Sequence, residues 1–265
     1  MKSYFALFKM TFKGELQYRA KAISGIITQL FWGAMYISLY TAFMNSGTVN
    51  GFTIPQMASY IWLGQAFFAM KYVSMPKGAA KEIVGGNVCY KFTRPINLYS
   101  QWYAELVGQK LSATLLRFAP IIVLGFVLPA SFGLMLPVGV GEFFLFLFGL
   151  VLGLLMSSAI GMIAVYLTFR TLSQRGMAQI LGTITSLLCG SFVPLPLLPQ
   201  NLQKVISYMP FRVIGDLPFR IYIGNISVSE GLVQMAIGTA WFVVVVVIGV
   251  LLLKLSQRKT EIQGG

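Results

Sequence analysis

The sequence has 265 residues, of which 57% are hydrophobic and 10% are charged, and its formal net charge is +13. An ordinary soluble domain carries about 25% charged residues, so the composition excludes a conventional water-soluble protein. The apolar residues form runs close to the ~20 residues that a helix needs to cross a bilayer, and we predict an all-α integral membrane protein. The positive charge is concentrated in a few loops beside these runs, which is typical of cytoplasmic loops and argues against a nucleic-acid partner.

The N-terminal region, residues 1–21, is basic and amphipathic. Phe5, Phe8, Phe12 and Leu16 fall on one arc of a helical wheel, with lysines in a stripe beside them. This pattern predicts an interfacial helix that lies under the membrane lipid headgroups and directs its lysines toward phosphate. The alternative is that this segment is an ordinary basic flank of the first membrane span.

Six apolar runs follow, and we predict that each of them crosses the membrane. They cover residues 22–44, 54–72, 111–128, 143–169, 177–193 and 232–253. Sixteen of the twenty Lys and Arg residues lie in the N-terminal region, in the segments after the second and fourth runs, and in the C-terminal tail. Because basic residues near span ends resist translocation, we predict that both termini are cytoplasmic.

The sequence lacks the residues that power ion-coupled transport or hydrolysis. It has no His, and none of its seven acidic residues lies in the middle of a predicted span. A phosphate-binding loop motif is also absent, and Cys89 and Cys189 do not belong to a ligand cluster, so we predict neither a catalytic nor a metal site. Arg117 is the one intramembrane charge, and it can either position its helix or contact a substrate. If the protein moves a solute uphill, the energy must therefore come from another chain.

The fourth run carries a stripe of small side chains at four-residue intervals, at Gly149, Gly153, Ser157 and Gly161. Such a stripe lets a neighbouring backbone approach closely. The pattern therefore predicts a helix-packing face, and its neighbour can be a segment of the same chain or a second subunit.

Residues 75–110 form a connection that is too long for a simple turn. Apolar side chains alternate with charges, the Gly85-Gly86 pair interrupts the pattern, and Pro95 disfavours helix at Arg94. We predict short helices at the membrane surface that are available to a cytoplasmic partner. A solvated basic loop and a lipid-headgroup anchor are the alternatives.

The connection over residues 194–231 begins with three prolines in six residues, which interrupt regular helix. Apolar residues then recur at helical spacing from Leu202 to Met209, before a further proline breaks the chain. We predict short external helices that dip into the outer leaflet and either gate an exit pathway or cap the helix bundle. The residues assigned to this external, re-entrant element are Phe192, Pro194, Pro196 and Pro210.

Taken in order across nearly the whole chain, these features resemble the membrane subunits of bacterial type-2 ATP-binding-cassette (ABC) exporters, six-span permeases that work with a separately encoded ATPase. The similar segments are the amphipathic N-terminal helix, the loop from Glu82-Ile-Val-Gly-Gly to Arg94-Pro95-Ile-Asn, the Phe192-Val-Pro194-Leu-Pro196 segment leading to Met209-Pro210-Phe211, and the terminal Gln263-Gly264-Gly265.

The resemblance implies that the loop after the second span holds a coupling helix that sits in a groove of the ATPase. The residues that it assigns to this coupling surface are Lys81, Glu82, Ile83, Gly86, Tyr90, Arg94 and Pro95. It also implies two ATPase copies that bind ATP and Mg, and a second permease subunit that is identical or homologous. The expected location is the bacterial cytoplasmic membrane, with no cofactor in this chain and no substrate assigned.

Two other functions compete with an ATP-driven export permease. The first is an uncoupled channel or secondary carrier, which would transport without an ATPase. The second is a membrane scaffold or assembly protein, which would neither transport nor bind an ATPase.

Overall fold

The computed structural model describes residues 2–45, 52–92, 97–173 and 175–259. In this part of the chain the regular secondary structure is entirely helical, with twelve α-helices and two short 3-10 turns. The α-helices are α1 (Lys2–Leu16), α2 (Arg19–Asn45), α3 (Ile54–Ala66), α4 (Phe68–Lys71), α5 (Ala79–Val84), α6 (Cys89–Phe92), α7 (Leu98–Val127), α8 (Val140–Thr171), α9 (Gly176–Leu188), α10 (Gln200–Ser207), α11 (Asp216–Tyr222) and α12 (Val228–Lys259). The 3-10 turns are Leu195–Leu197 and Arg212–Ile214.

Four of the described helices are long and apolar enough to cross a membrane: Ala20–Asn45, Leu98–Val127, Val140–Thr171 and Val228–Gln257. The prediction of an all-α protein with several membrane helices is therefore confirmed. α8 is the central helix, because it packs against α7, α9, α11 and α12 and has the most buried span of the four.

Two predicted spans are shorter as helices than the sequence predicts. α3 and α9 each have 13 residues, which corresponds to about 20 Å and falls short of the ~30 Å hydrocarbon core. The run at 54–72 is divided at Phe67, whose ring packs against Phe118, Phe146 and Phe219. The run at 177–193 stops being helical after Leu188, because Gly190 adopts a φ of +75° and turns the chain.

α7 begins at Leu98, whereas the sequence pattern placed the start of this span at Leu111 and assigned the preceding residues to a loop. The Asn97 side chain caps the helix by accepting a hydrogen bond from the Ser100 backbone N–H at 3.1 Å. The additional turns bury Trp102 and Leu106 inside the protein. These turns are covered by α1 and α8 and not by lipid, so they do not need the continuous apolar sequence of a lipid-facing span.

Two lysines that the sequence pattern assigned to the basic loop after the second span lie inside the bundle. Lys71 is 7% exposed at the end of α4, and Lys110 is 3% exposed within α7. Counting them among the surface charges of that loop was therefore wrong. Other basic side chains of the same region are exposed, among them Lys77 and Lys81, and with Arg170, Arg175 and Lys254 they mark what we call the basic end of the bundle.

α1 packs lengthwise against the first half of α7. Gly108 of α7 lies against the Phe8 and Phe12 region of α1, and the Tyr4 hydroxyl accepts a hydrogen bond from the Asn97 backbone N–H at 3.1 Å. Part of the aromatic arc is thereby covered by protein, while Phe5 remains 68% exposed. The position of α1 under the lipid headgroups stays a prediction.

The small-residue stripe of α8 packs against other segments of the same chain. Gly153 faces the backbone of Val213 and Ile214, and Gly161 faces the carbonyl of Ser74. Val213 and Ile214 belong to residues 195–222, which we call the inserted segment and which include α10, α11 and both 3-10 turns. Because Gly153 is near the middle of α8, about 20 Å from its first residue, the inserted segment reaches deep into the bundle.

The close approach at Gly153 yields a test of this packing. A Cβ atom on Gly153 would lie 2.8 Å from the Val213 carbonyl oxygen, whereas a Cβ on Gly141 of the same helix would meet only a methyl group of Val228 at 3.4 Å. We expect Gly153→Ala to lower the free energy of unfolding by about 1–3 kcal/mol, because the backbone of the inserted segment must shift. Gly141→Ala should be neutral or slightly stabilising. Unfolding by sodium dodecyl sulfate in mixed micelles measures both, and equal stabilities would contradict this contact.

Candidate functional site

A groove runs along the bundle between α2 and α9, with α3 and α4 as its third wall, and its volume is about 430 Å³. On α2, the rings of Trp32, Tyr36 and Tyr40 form a stack with successive centroid distances of 5.6 and 6.2 Å. Phe68 and Tyr72 make a second stacked pair at 6.2 Å. A concave, aromatic-lined space of this size is typical of sites that bind small molecules.

Two hydrogen bonds join the walls of the groove at the end away from the basic end, which we call the closed end. The Tyr40 hydroxyl donates a hydrogen bond to the Phe192 carbonyl at 3.0 Å, and the Tyr60 hydroxyl lies 3.4 Å from the Gly190 carbonyl. These contacts join α2 and α3 to the turn that follows α9. Opening the groove at this end requires that the Tyr40 contact break.

The four residues predicted to form the external, re-entrant element separate into two pairs. Phe192 and Pro194 line the closed end of the groove. Pro196 and Pro210 lie elsewhere: the Pro196 carbonyl accepts a hydrogen bond from the Gln203 side chain at 3.1 Å, and Pro210 precedes the 3-10 turn at Arg212–Ile214.

A buried charge cluster lies behind the closed end. Asp216 is fully buried and accepts hydrogen bonds from Arg212 Nε at 2.9 Å and from the Tyr60 hydroxyl at 3.2 Å. Arg220 Nη1 is 3.7 Å from the same carboxylate. These residues lie in the connection that the sequence pattern predicts to be external. The i, i+4, i+8 spacing of Arg212, Asp216 and Arg220 was the available signal that one helical face would bring them together.

Lys71 lines the groove, although the sequence pattern placed it in a surface loop. Its Nζ atom lies 5.3 Å from the centroid of the Phe219 ring. This cation–π contact partly compensates the ammonium group for the loss of water. This burial is hard to predict from the sequence, because Lys71 stands at the end of the run at 54–72 and resembles an ordinary flanking charge.

A second buried lysine is held by the small-residue stripe. Lys110 Nζ donates a hydrogen bond to Ser157 Oγ at 2.8 Å, and this hydroxyl lies 2.6 Å from the Met70 carbonyl. Ser157 is thus a polar link between α4, α7 and α8, as well as a small packing residue. Lys110 does not line the groove.

At the basic end, α5 and α6 form a small projecting unit. Glu82 and Lys91 form an ion pair at 2.7 Å, and Lys91 Nζ lies 5.4 Å from the centroid of the Trp102 ring. Ile83 is 5% exposed and packs in the same core cluster as Trp102 and Met162. The unit therefore packs on α7 and α8, and Lys91 of its ion pair contacts Trp102 of α7.

The structure distributes the predicted coupling residues over different environments. Lys81, Gly86 and Tyr90 are exposed, and Gly86 has a φ of +74°. Glu82 is half-buried and Ile83 is buried, so Ile83 anchors the surface instead of forming part of it. Arg94 and Pro95 lie outside the described residues.

Arg117 contacts the start of the first membrane helix. Its Nη2 atom donates a hydrogen bond to the Lys21 carbonyl at 3.2 Å, and the guanidinium group lies beside Gly25. Arg117 does not line the groove. These contacts agree with a role of Arg117 in positioning helices.

The chain is similar to a known family of membrane proteins. Residues 30–264 match the family model described as "ABC-2 family transporter protein". None of the curated proteins matches the chain. Among the described residues, no group of three or more His, Cys, Asp or Glu side chains is arranged to hold a metal ion.

The charge cluster yields a test of the packing behind the groove. Asp216→Asn leaves Arg212 and Arg220 without their carboxylate in a buried site, and we expect a loss of about 3–5 kcal/mol of stability. Glu230→Gln, at an exposed position near the start of α12, is the matched control and should leave stability unchanged. Thermal unfolding of the two purified variants beside the original protein measures the effect. A stable Asp216→Asn variant would show that the cluster does not support the fold.

Proposed function

The chain belongs to the ABC-2 transporter family, and on that premise we propose that it is the membrane permease of an ATP-driven exporter. Membrane subunits of this family are generally non-catalytic and associate with an ABC ATPase. We further propose two ATPase copies that bind ATP and Mg, a second permease subunit, and export across the bacterial cytoplasmic membrane. The observation that carries this proposal is the combination of a closed groove with an anchored, projecting unit at the basic end.

The proposed topology has six crossings with both termini in the cytoplasm. Four crossings are the long helices α2, α7, α8 and α12. α3 with α4, and α9 with the turn after it, supply the other two as interrupted helices. Interrupted helices are tolerated at membrane depth where protein covers their backbone, and α8 packs against both α4 and α9.

Force can pass from the projecting unit to the groove through α8. α5 packs on α8, and α8 in turn contacts α4 and α9, which form two walls of the groove. When ATP draws the two ATPase subunits together, α5 moves with them and shifts α8 and α7 through Ile83. Separation of α9 from α2 then breaks the Tyr40 contact with Phe192 and opens the groove outward.

The charge arrangement disfavours an ion-coupled carrier. Among the described residues, Asp216 is the buried acid, and its carboxylate is engaged by two arginines and a tyrosine. A carboxylate engaged by two arginines and a tyrosine has a structural role, because its charge stabilises these partners inside the protein. The energy for transport is therefore assigned to the ATPase.

Exposed tyrosines at opposite ends of the bundle provide a test of coupling. Tyr90 is 74% exposed on the projecting unit, and Tyr208 is 68% exposed in the inserted segment. Because aromatic side chains often dominate interface energies, we expect Tyr90→Ala to weaken ATPase association by about 2 kcal/mol and to reduce ATP turnover. Tyr208→Ala should preserve both. Copurification in mild detergent and an ATPase assay measure the effects. If the original chain binds no ATPase, the permease proposal fails; if Tyr90→Ala behaves normally, only the assigned contact fails.

Single cysteines test the orientation. In a variant whose two native cysteines are replaced, Ser131→Cys should react with an impermeant thiol reagent in intact cells, and Asn87→Cys should react only after lysis. Both positions are exposed, so access to the protein surface does not distinguish them. Labelling of Asn87→Cys from outside would reverse the proposed orientation.

A further inference from the structure

Lys71 is a buried cation without an anionic partner in the described structure. Its side chain lines the groove and is 7% exposed. The ion pairs among the described residues join Lys77 to Glu15, Lys91 to Glu82, and Arg212 and Arg220 to Asp216, and none of them involves Lys71. Its ammonium group makes a cation–π contact with the face of the Phe219 ring. A buried ammonium group without a counterion is unfavourable. An anion bound in the groove would therefore stabilise Lys71.

A second unsatisfied polar group faces the same space. Gln29 of α2 lines the groove and is 6% exposed, and its side-chain oxygen has no hydrogen-bond partner in the described structure. This oxygen is a hydrogen-bond acceptor, so a donor group on a bound molecule can pair with it. Lys71 and Gln29 therefore provide two polar contact points on different helices.

The surroundings favour a ligand that is otherwise apolar. Aromatic stacks lie on both sides of the groove, with Trp32 and Tyr36 on α2 and Phe68 and Tyr72 on the wall that carries Lys71. Behind the closed end, the cluster around Asp216 adds two arginines against one carboxylate, so the nearby charge is also positive. A ligand that fits these walls has an apolar chain or ring system and a single anionic headgroup.

We propose that the groove binds amphipathic anions, with Lys71 contacting the carboxylate or phosphate headgroup and the aromatic walls holding the apolar part. The identification of such anions as the exported substrate class rests on the proposed permease function. Charge complementarity favours an anionic headgroup, because an anion compensates the buried ammonium group of Lys71 for its lost hydration. Apolar area supplies the affinity, because the aromatic walls offer a broad surface for burial.

The test uses the full-length chain, with any ATPase that copurifies, in nanodiscs of neutral phosphatidylcholine. The probes are the fluorescent anion 11-(dansylamino)undecanoate and its uncharged carboxamide, which share one apolar body. We expect the original protein to bind the anion about tenfold more tightly than the carboxamide, and the anion to raise ATP turnover. Lys71→Gln should remove the preference and the stimulation, whereas Lys71→Arg should keep the preference. Lys110→Gln is the matched control, because Lys110 is equally buried but outside the groove, and it should keep both.

Equal binding of the two probes to the original protein, or an unchanged preference in Lys71→Gln, would overturn the proposed site. Saturable anion binding without stimulated turnover in an ATPase-containing complex would overturn the substrate assignment and indicate a resident lipid. If the chain prefers the anion but no ATPase copurifies with it, the result would support the anion site and contradict the permease proposal. The two proposals therefore fail through different measurements.

Discussion

The close approach of the inserted segment to Gly153 is the contact on which the rest of the structure depends. Backbone polar groups inside a membrane must be paired within the protein, so a non-helical segment can enter the bundle only where other helices cover it. Glycines on α8 provide that room, and the Val213 carbonyl occupies space that any side chain on Gly153 would fill. The turn at Arg212–Ile214 and helix α11 then carry Arg212, Asp216 and Phe219 to their positions behind the groove.

Charged side chains inside the bundle differ in the contacts that the described structure gives them. Asp216 is matched by two arginines and a tyrosine, and Lys110 is held by Ser157. In the part of the chain that the structure describes, Lys71 packs against the face of Phe219 and lines the groove. Asp216 and Lys110 therefore hold their helices in place, whereas Lys71 is the residue for which we propose an anionic ligand.

The sequence predicted the helical class and located the four long membrane helices, because lipid-facing helices are continuously apolar and can be recognised by composition. It misplaced the start of α7, because residues 98–110 are covered by protein and so carry a mixed pattern. The burial of Lys71 and the meeting of Asp216 with Tyr60 depend on segments that are distant in the chain, and composition contains no information on such partners. Arg212 and Asp216 could have been paired from their spacing alone, although not placed inside the bundle.

α8 gives a physical reason why the two ends of the molecule can act together. Along a single helix it contacts the inserted segment at Gly153, α4 and α7 through Ser157, and the loop after α4 at Gly161, while α5 packs near the basic end. Close-packed interiors transmit displacement because they contain few voids that could absorb it. In the proposed mechanism, a shift of α5 therefore reaches the groove through α8, which contacts α4 and α9. In the proposed mechanism, the hydrogen bond from the Tyr40 hydroxyl to the Phe192 carbonyl must break, because it joins the two walls that separate.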